Sequence, residues 1–193
     1  SGIDVNSGST YTASVTTNVA TQPGSVTVTV KDQSNNPVYP GEAQIHSPYL
    51  TQNLNSNGQT TFTGLSPGTY GIEAYGDNML IGNTGNFSVV SGSSLSKTIT
   101  AVAKGFLNVK IYRSDGSSPL ASATVKLNSH AKYLREGITD SNGEYTFSVW
   151  PNDPSKNEQF MVYVYYNSVE VGRKTSGIDV NSGSTYTASV TTN

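Results

Sequence analysis

The chain contains no cysteine, which excludes disulfide staples, thiol catalysis and Cys-based zinc sites. Charge is scarce, at 12% of residues, and nearly balanced at a net −2. There is thus no basic stripe for phosphates, and nucleic acid is not an expected partner. No run approaches the roughly 20 apolar residues of a membrane span, and no charged-then-apolar leader resembles a signal peptide. Helix-favouring Ala, Leu, Glu and Lys are sparse; Thr, Ser, Gly, Asn and Tyr, the vocabulary of short strands and polar turns, take their place.

What is present is written twice. SGIDVNSGSTYTASVTTN spans residues 1–18 and recurs unchanged at 176–193, giving a period of 175 residues. Such a copy has three sources: a polyprotein repeat cut out of register, overlapping ends of a fibre, or a strand deliberately duplicated. Each makes the segment a connecting element. Within it, Ile3/Val5 and Tyr11/Ala13/Val15 alternate on either side of the turn Asn6-Ser7-Gly8-Ser9. This pattern predicts a strand pair whose apolar stripe something else must cover.

Regular alternation begins at Val26/Val28/Val30 and continues through Gly41/Ala43/Ile45, Phe62, Tyr70/Ile72/Ala74, Phe87/Val89 and Leu95–Ile99. Turn signals separate these runs roughly every 8–12 residues, which argues for an all-β sandwich. A second set follows in the same order: Leu107/Val109/Ile111, Ala123/Val125/Leu127, Tyr145/Phe147, Phe160/Val162/Val164, Ile178/Val180 and Tyr186–Val190. Pro37 falls opposite Pro119, Phe62 opposite Phe147 and Gly92 opposite Gly183, the offset growing from 82 to 91 as loops lengthen. The expected organisation is a strand pair (1–18) followed by two tandem Greek-key sandwich domains, 19–103 and 104–193. The short junction Ala101-Val102-Ala103-Lys104-Gly105 predicts a stiff rod.

The strings VKDQSNNPV, GEAQI and NGQTTFTGLSPGTYGIEA, with SDGSSPLASATV and TDSNGEYTF in the second half, resemble carboxypeptidase regulatory-like domains and their Cna-B-type stalk relatives. The resemblance implies a transthyretin-like β-sandwich acting outside the cell as a spacer, stalk or accessory module. Cna-B relatives can carry a Lys–Asn isopeptide cross-link, which needs an inward lysine on the first strand. Here Lys31 and Lys110 alternate with apolar residues and point outward, as does Glu73, and the last strands lack Asn. No such bond is expected.

Candidate chemistry is thin. His46 and His130 have no Cys, Asp or Glu at ligand spacing and read as solvated strand-end residues. Asp140-Ser141-Asn142-Gly143-Glu144 is too short for a calcium loop, and Asn-Gly between strands suits a hairpin in which both central residues take positive φ. No metal, cofactor or enzymatic role is expected. Trp150 matches Leu65 as an end plug of its domain. Tyr163 and Tyr165 lie opposite inward Val162 and Val164, a candidate surface aromatic contact for sugars or a partner. Asn86-Phe87-Ser88 is a glycosylation sequon.

Three function classes follow: a structural unit of an extracellular, cell-surface fibre or stalk; a carbohydrate- or protein-binding module; an accessory region of a secreted enzyme. Within the first, residues 1–18 of one subunit donate a strand to the groove of another, with Ile3, Val5, Tyr11, Ala13 and Val15 as anchors. The partners are then further copies of the chain.

Overall fold

The computed structural model describes residues 8, 10, 12, 20–129, 132–152 and 159–193. The expectations for Ile3, Val5, Tyr11, Ala13, Val15 and His130 lie outside them. Every regular element among the described residues is a strand. Among the described residues no helix is long and apolar enough to cross a membrane.

The first seven strands are β1 (Gly24–Lys31), β2 (Glu42–His46), β3 (Tyr49–Asn53), β4 (Gln59–Leu65), β5 (Gly68–Gly76), β6 (Met79–Val89) and β7 (Ser94–Thr100). They form a three-stranded sheet in the order β4-β1-β7 and a four-stranded sheet in the order β3-β2-β5-β6. The next seven repeat this plan: β8 (Gly105–Tyr112), β9 (Thr124–Ser129), β10 (Lys132–Ile138), β11 (Glu144–Val149), β12 (Phe160–Tyr166), β13 (Val169–Lys174) and β14 (Thr185–Thr191). Their sheets are ordered β11-β8-β14 and β10-β9-β12-β13. Two β-sandwich domains of one topology result, each closed by a last strand running parallel to its first.

Period-two burial explains the layers. Val26, Val28 and Val30 on β1 are fully buried and meet Ala43, Ile45, Ile72 and Ala74 from the facing sheet; Leu107, Val109 and Ile111 meet Val125, Leu127, Val162 and Val164 in the same way. Lys31 and Lys110 occupy outward positions, and Lys110 pairs across its sheet with Glu144 at 2.6 Å.

The structure corrects the hairpin chemistry. At Asn57-Gly58 and Asn142-Gly143 only the glycine takes positive φ, +69° and +72°. These are longer loops in which Asn55 and Asp140 accept bonds from the amides two and four residues ahead. A Cβ on Gly143 would also lie 2.5 Å from the Ile111 carbonyl oxygen, so both backbone angle and space require glycine there. The two-residue turns with both φ positive are instead Asp77-Asn78 and Asn167-Ser168.

The domains touch through Trp150. The indole is buried and lies against Gly76, where an added Cβ would come within 2.2 Å of Nε1, while Lys104 Nζ sits 4.7 Å above the ring. Arg135 pairs with Asp77, and Lys132 Nζ reaches Asn78 Oδ1 at 3.3 Å. Gln33 Nε2 donates to the Ala101 carbonyl at 2.6 Å, tying the junction back to the first domain. A groove of about 430 Å³ runs along this seam between Tyr39, Leu54 and Tyr75 on one side and Lys132 and Tyr133 on the other.

Candidate assembly site

The second copy of the repeated segment completes the second domain. β14 pairs in parallel with β8 from Thr185↔Phe106 to Thr191↔Tyr112. Bonds beyond the strand extend the grip: Gly183 N donates to Lys104 O at 3.2 Å, Phe106 N to Ser184 O at 2.8 Å, and Asn193 N to Val171 O at 2.9 Å. Gly183 sits at φ +70°, the backbone setting of Gly92 in the first domain.

Ala188 and Val190 point into the core at 1% and 4% exposure, and Ile178 and Val180 do so at 3% and 0%. Tyr186 packs partly against the same core while its hydroxyl donates to the Gly177 carbonyl. These five are the residues that Ile3, Val5, Tyr11, Ala13 and Val15 repeat at the other end of the chain. Four fully buried aliphatic side chains contribute on the order of 1.5–3 kcal/mol each for the larger ones, so an empty slot leaves the sandwich open along a whole edge.

The first half of the segment differs from expectation. Residues 176–184 are not a strand; only Thr185–Thr191 is. In the first domain the matching stretch is the end of β6, laddered to β5 through Tyr70↔Phe87, Thr69↔Ser88 and Gly68↔Val89. In the second, β12 begins only at Phe160, so Ile178 and Val180 lie past the ladder. Asn152 substitutes for it. Its Oδ1 accepts from Val180 N at 2.8 Å, its Nδ2 donates to Ile178 O at 3.1 Å, and its own backbone N donates to Val180 O at 3.2 Å. A carboxamide has the donor and acceptor of a peptide group, so one buried side chain stands in for a strand neighbour. Around Asn152 the sequence offers no alternation, and only the requirement that buried backbone groups be paired points to its role. Gly105 completes the fit: a Cβ there would lie 2.6 Å from Val180 Cγ1.

Elsewhere the predicted site residues separate. Tyr163 and Tyr165 share the outer face of β12, with Arg173 5.8 Å from the Tyr163 ring centre and Lys126 4.7 Å from that of Tyr165. With Lys126, Asn128 and Tyr133 they line a shallow groove of about 230 Å³. The equivalent face of the first domain carries His46 at the end of β2, its Nε2 2.6 Å from Glu73 Oε2, and Tyr75 donating to the same carboxylate oxygen at 2.5 Å. Asn86 is exposed on β6 and lines a groove of about 310 Å³ together with His46 and Glu73. Among the described residues no three His, Cys, Asp or Glu side chains cluster to hold a metal, and Asp140 Oδ1 accepts from the amides of its own turn.

Two carboxylates are held low by turn hydrogen bonds. The Ser118 hydroxyl and the Ser117 and Ser118 amides bring Asp115 down to about 2. The Asn36 side chain and amide, with the Ser34 amide, lower Asp32 at the matching turn. Both stabilise loops between the first two strands of their domains.

No family model matches the chain, and no curated protein does. Among solved structures it is similar to GBS52, the minor pilin of the Gram-positive pathogen Streptococcus agalactiae, with 13% identity over 88% of this chain and 95% of that one and a TM-score of 0.50. The shaft pilin SpaA of Lactobacillus rhamnosus GG is 9% identical over 90% of this chain and 98% of its own, with a TM-score of 0.40. The Bacillus anthracis TIE protein is 12% identical over 89% of this chain, with a TM-score of 0.39; the chain spans 34% of its length. At these identities the likeness to GBS52 establishes a shared β-sandwich architecture, and the lower scores add nothing to it.

Proposed function

We propose that the chain is a structural unit of an extracellular surface fibre or stalk, built of sandwich domains joined head to tail, with residues 1–18 supplying the closing strand of a neighbouring unit. The observation behind this reading is that residues 176–193 close the second domain with Ile178, Val180, Ala188 and Val190 buried, while an identical segment stands at the other end of the chain. A closing strand duplicated in this way can complete the same slot in another copy, and main-chain bonds along a strand give such joints their affinity. The shared architecture with a minor pilin fits a fibre component. In the tandem-repeat version the same contacts form within one longer chain.

Deleting residues 176–193 tests the strand donation. The shortened chain should form linear oligomers through 1–18, visible as a ladder by size exclusion and as filaments by electron microscopy. A chain that stays monomeric or only aggregates amorphously would overturn donation and leave the tandem stalk.

A second reading, a glycan- or protein-binding accessory module, is favoured by the Tyr163/Tyr165 groove, whose Tyr133 wall is 52% exposed. Two cations already lie over the rings, so a sugar would have to displace them. Glycan binding that survives Tyr163→Ala plus Tyr165→Ala would remove this reading.

A further inference from the structure

The geometry points to Asn152 as the capture residue for the incoming strand: we infer that its carboxamide reads the backbone at Ile3 and Val5 of a neighbouring copy as it reads Ile178 and Val180 of its own chain. This rests on the strand-donation reading above. The occupant is residues 1–18 of a second copy, because the segment seated on Asn152 has the same eighteen residues.

Three observations support the assignment. First, Asn152 is 7% exposed and its amide oxygen and nitrogen both bond within one three-residue stretch of the repeated segment, Ile178–Val180. Second, the matching position in the first domain is Pro67, which has neither a carboxamide nor an N–H, and there β5 itself ladders to the end of β6. The device therefore exists only in the domain whose closing segment is written twice. Third, the clip touches backbone atoms, while Ile178 and Val180 fill the core on either side of exposed Asp179. The backbone bonds fix register, and the flanking apolar side chains fix identity, since a one-residue slip would drive Asp179 inward.

The division of labour predicts a position-specific effect. β14 has its own seven-residue pairing with β8 and does not need Asn152. The clip matters only for a strand that brings the Ile-Asp-Val stretch with it.

The full chain, carrying a protease site inserted between Thr175 and Ser176, is folded and then cut, and the bound segment is exchanged against two fluorescent peptides. One has the sequence of residues 1–18; the other starts at Asn6. Loss of the clip should speed release of the long peptide about tenfold to a hundredfold in Asn152→Ala, as expected when buried backbone groups lose their partners. Release of the short peptide should be the same from both proteins. Equal acceleration for both peptides would make Asn152 a general structural residue, and no acceleration for either would make the clip irrelevant; either result overturns the inference and leaves strand donation standing. Failure of the wild-type cut chain to take up either peptide would overturn strand donation and the clip with it. Should Asn152→Ala not fold, Asn152→Asp keeps the acceptor for Val180 N but loses the donor to Ile178 O. The same two release rates then decide.

Discussion

The two domains share a topology and the period-two burial of their central strands, yet they differ wherever a side chain faces outward or a strand runs past its ladder. At matching positions the outer face of the larger sheet carries Gln44, His46, Glu73 and Tyr75 in the first domain and Lys126, Asn128, Tyr163 and Tyr165 in the second. One is a hydrogen-bonded acid centre; the other is a cation-capped aromatic patch. At the domain end, Leu65 closes the first domain on itself, whereas Trp150 closes the second and also seats on Gly76 of its neighbour. The lesson is that alternating aliphatic residues specify the sandwich, while the positions they leave free decide what each domain touches.

The sharpest break in that comparison is at the plug. Trp150→Ala should cost about 3–5 kcal/mol and Leu65→Ala about 2–5 kcal/mol by the usual scale for buried large-to-small changes. They should differ in kind: the tryptophan variant should split thermal unfolding into two transitions, while the leucine variant, with the indole still in place, should lower one shared transition. A single shared transition for Trp150→Ala in calorimetry would mean that the indole does not couple the domains.

Gly76→Val attacks the same contact from the other side. The new side chain cannot coexist with Nε1 at 2.2 Å from its Cβ, and forced displacement of this sort costs about 1–3 kcal/mol. Since Trp150 is the single tryptophan, its emission should shift to the red; an unchanged spectrum would place the indole elsewhere. Arg135→Ala removes the half-exposed pair with Asp77 and should cost about 1 kcal/mol or less, an effect that shrinks in high salt. A salt-independent loss would indicate that packing of the Arg135 stem matters instead.

The smallest effect separates the domains by pH. The Ser118 hydroxyl and the Ser117 and Ser118 amides hold the folded Asp115 carboxyl at about 2, below the ordinary 3.8 of a free aspartate. Its contribution is therefore complete above pH 3.8 and disappears as the pH falls through about 2. Asp32 shifts in the same direction. Asp115→Asn should flatten the acid limb of the second domain in denaturant titrations between about pH 4 and 2. An acid limb unchanged from wild type would show that these turn bonds do not contribute.

Much of this was legible in the chain because the buried strands alternate strictly. β1, β5, β8, β9 and β12 each bury every second residue. The edge strands β3, β10 and β13 were not legible: their side chains are exposed or half-buried, so they leave no apolar stripe to read. Ile178/Val180 misled in the opposite way, since a buried i, i+2 pair resembles a strand even when a side-chain amide, rather than a ladder, holds its backbone. The outward placement of Tyr163 and Tyr165 followed from period two alone, but not the cations above them, which come from β9 and β13.

The sequence by itself determined the two-domain all-β plan, the inward and outward faces of the central strands, and the fact that one eighteen-residue segment is shared by both ends of the chain. These are local properties, set by side-chain alternation and turn chemistry. Tertiary structure decided that Trp150 bridges two domains, that Gly76 makes room for it, and that Asn152 grips the repeated segment. Each of those contacts joins residues far apart in the chain, and no period in the sequence encodes which distant backbone a given side chain will meet.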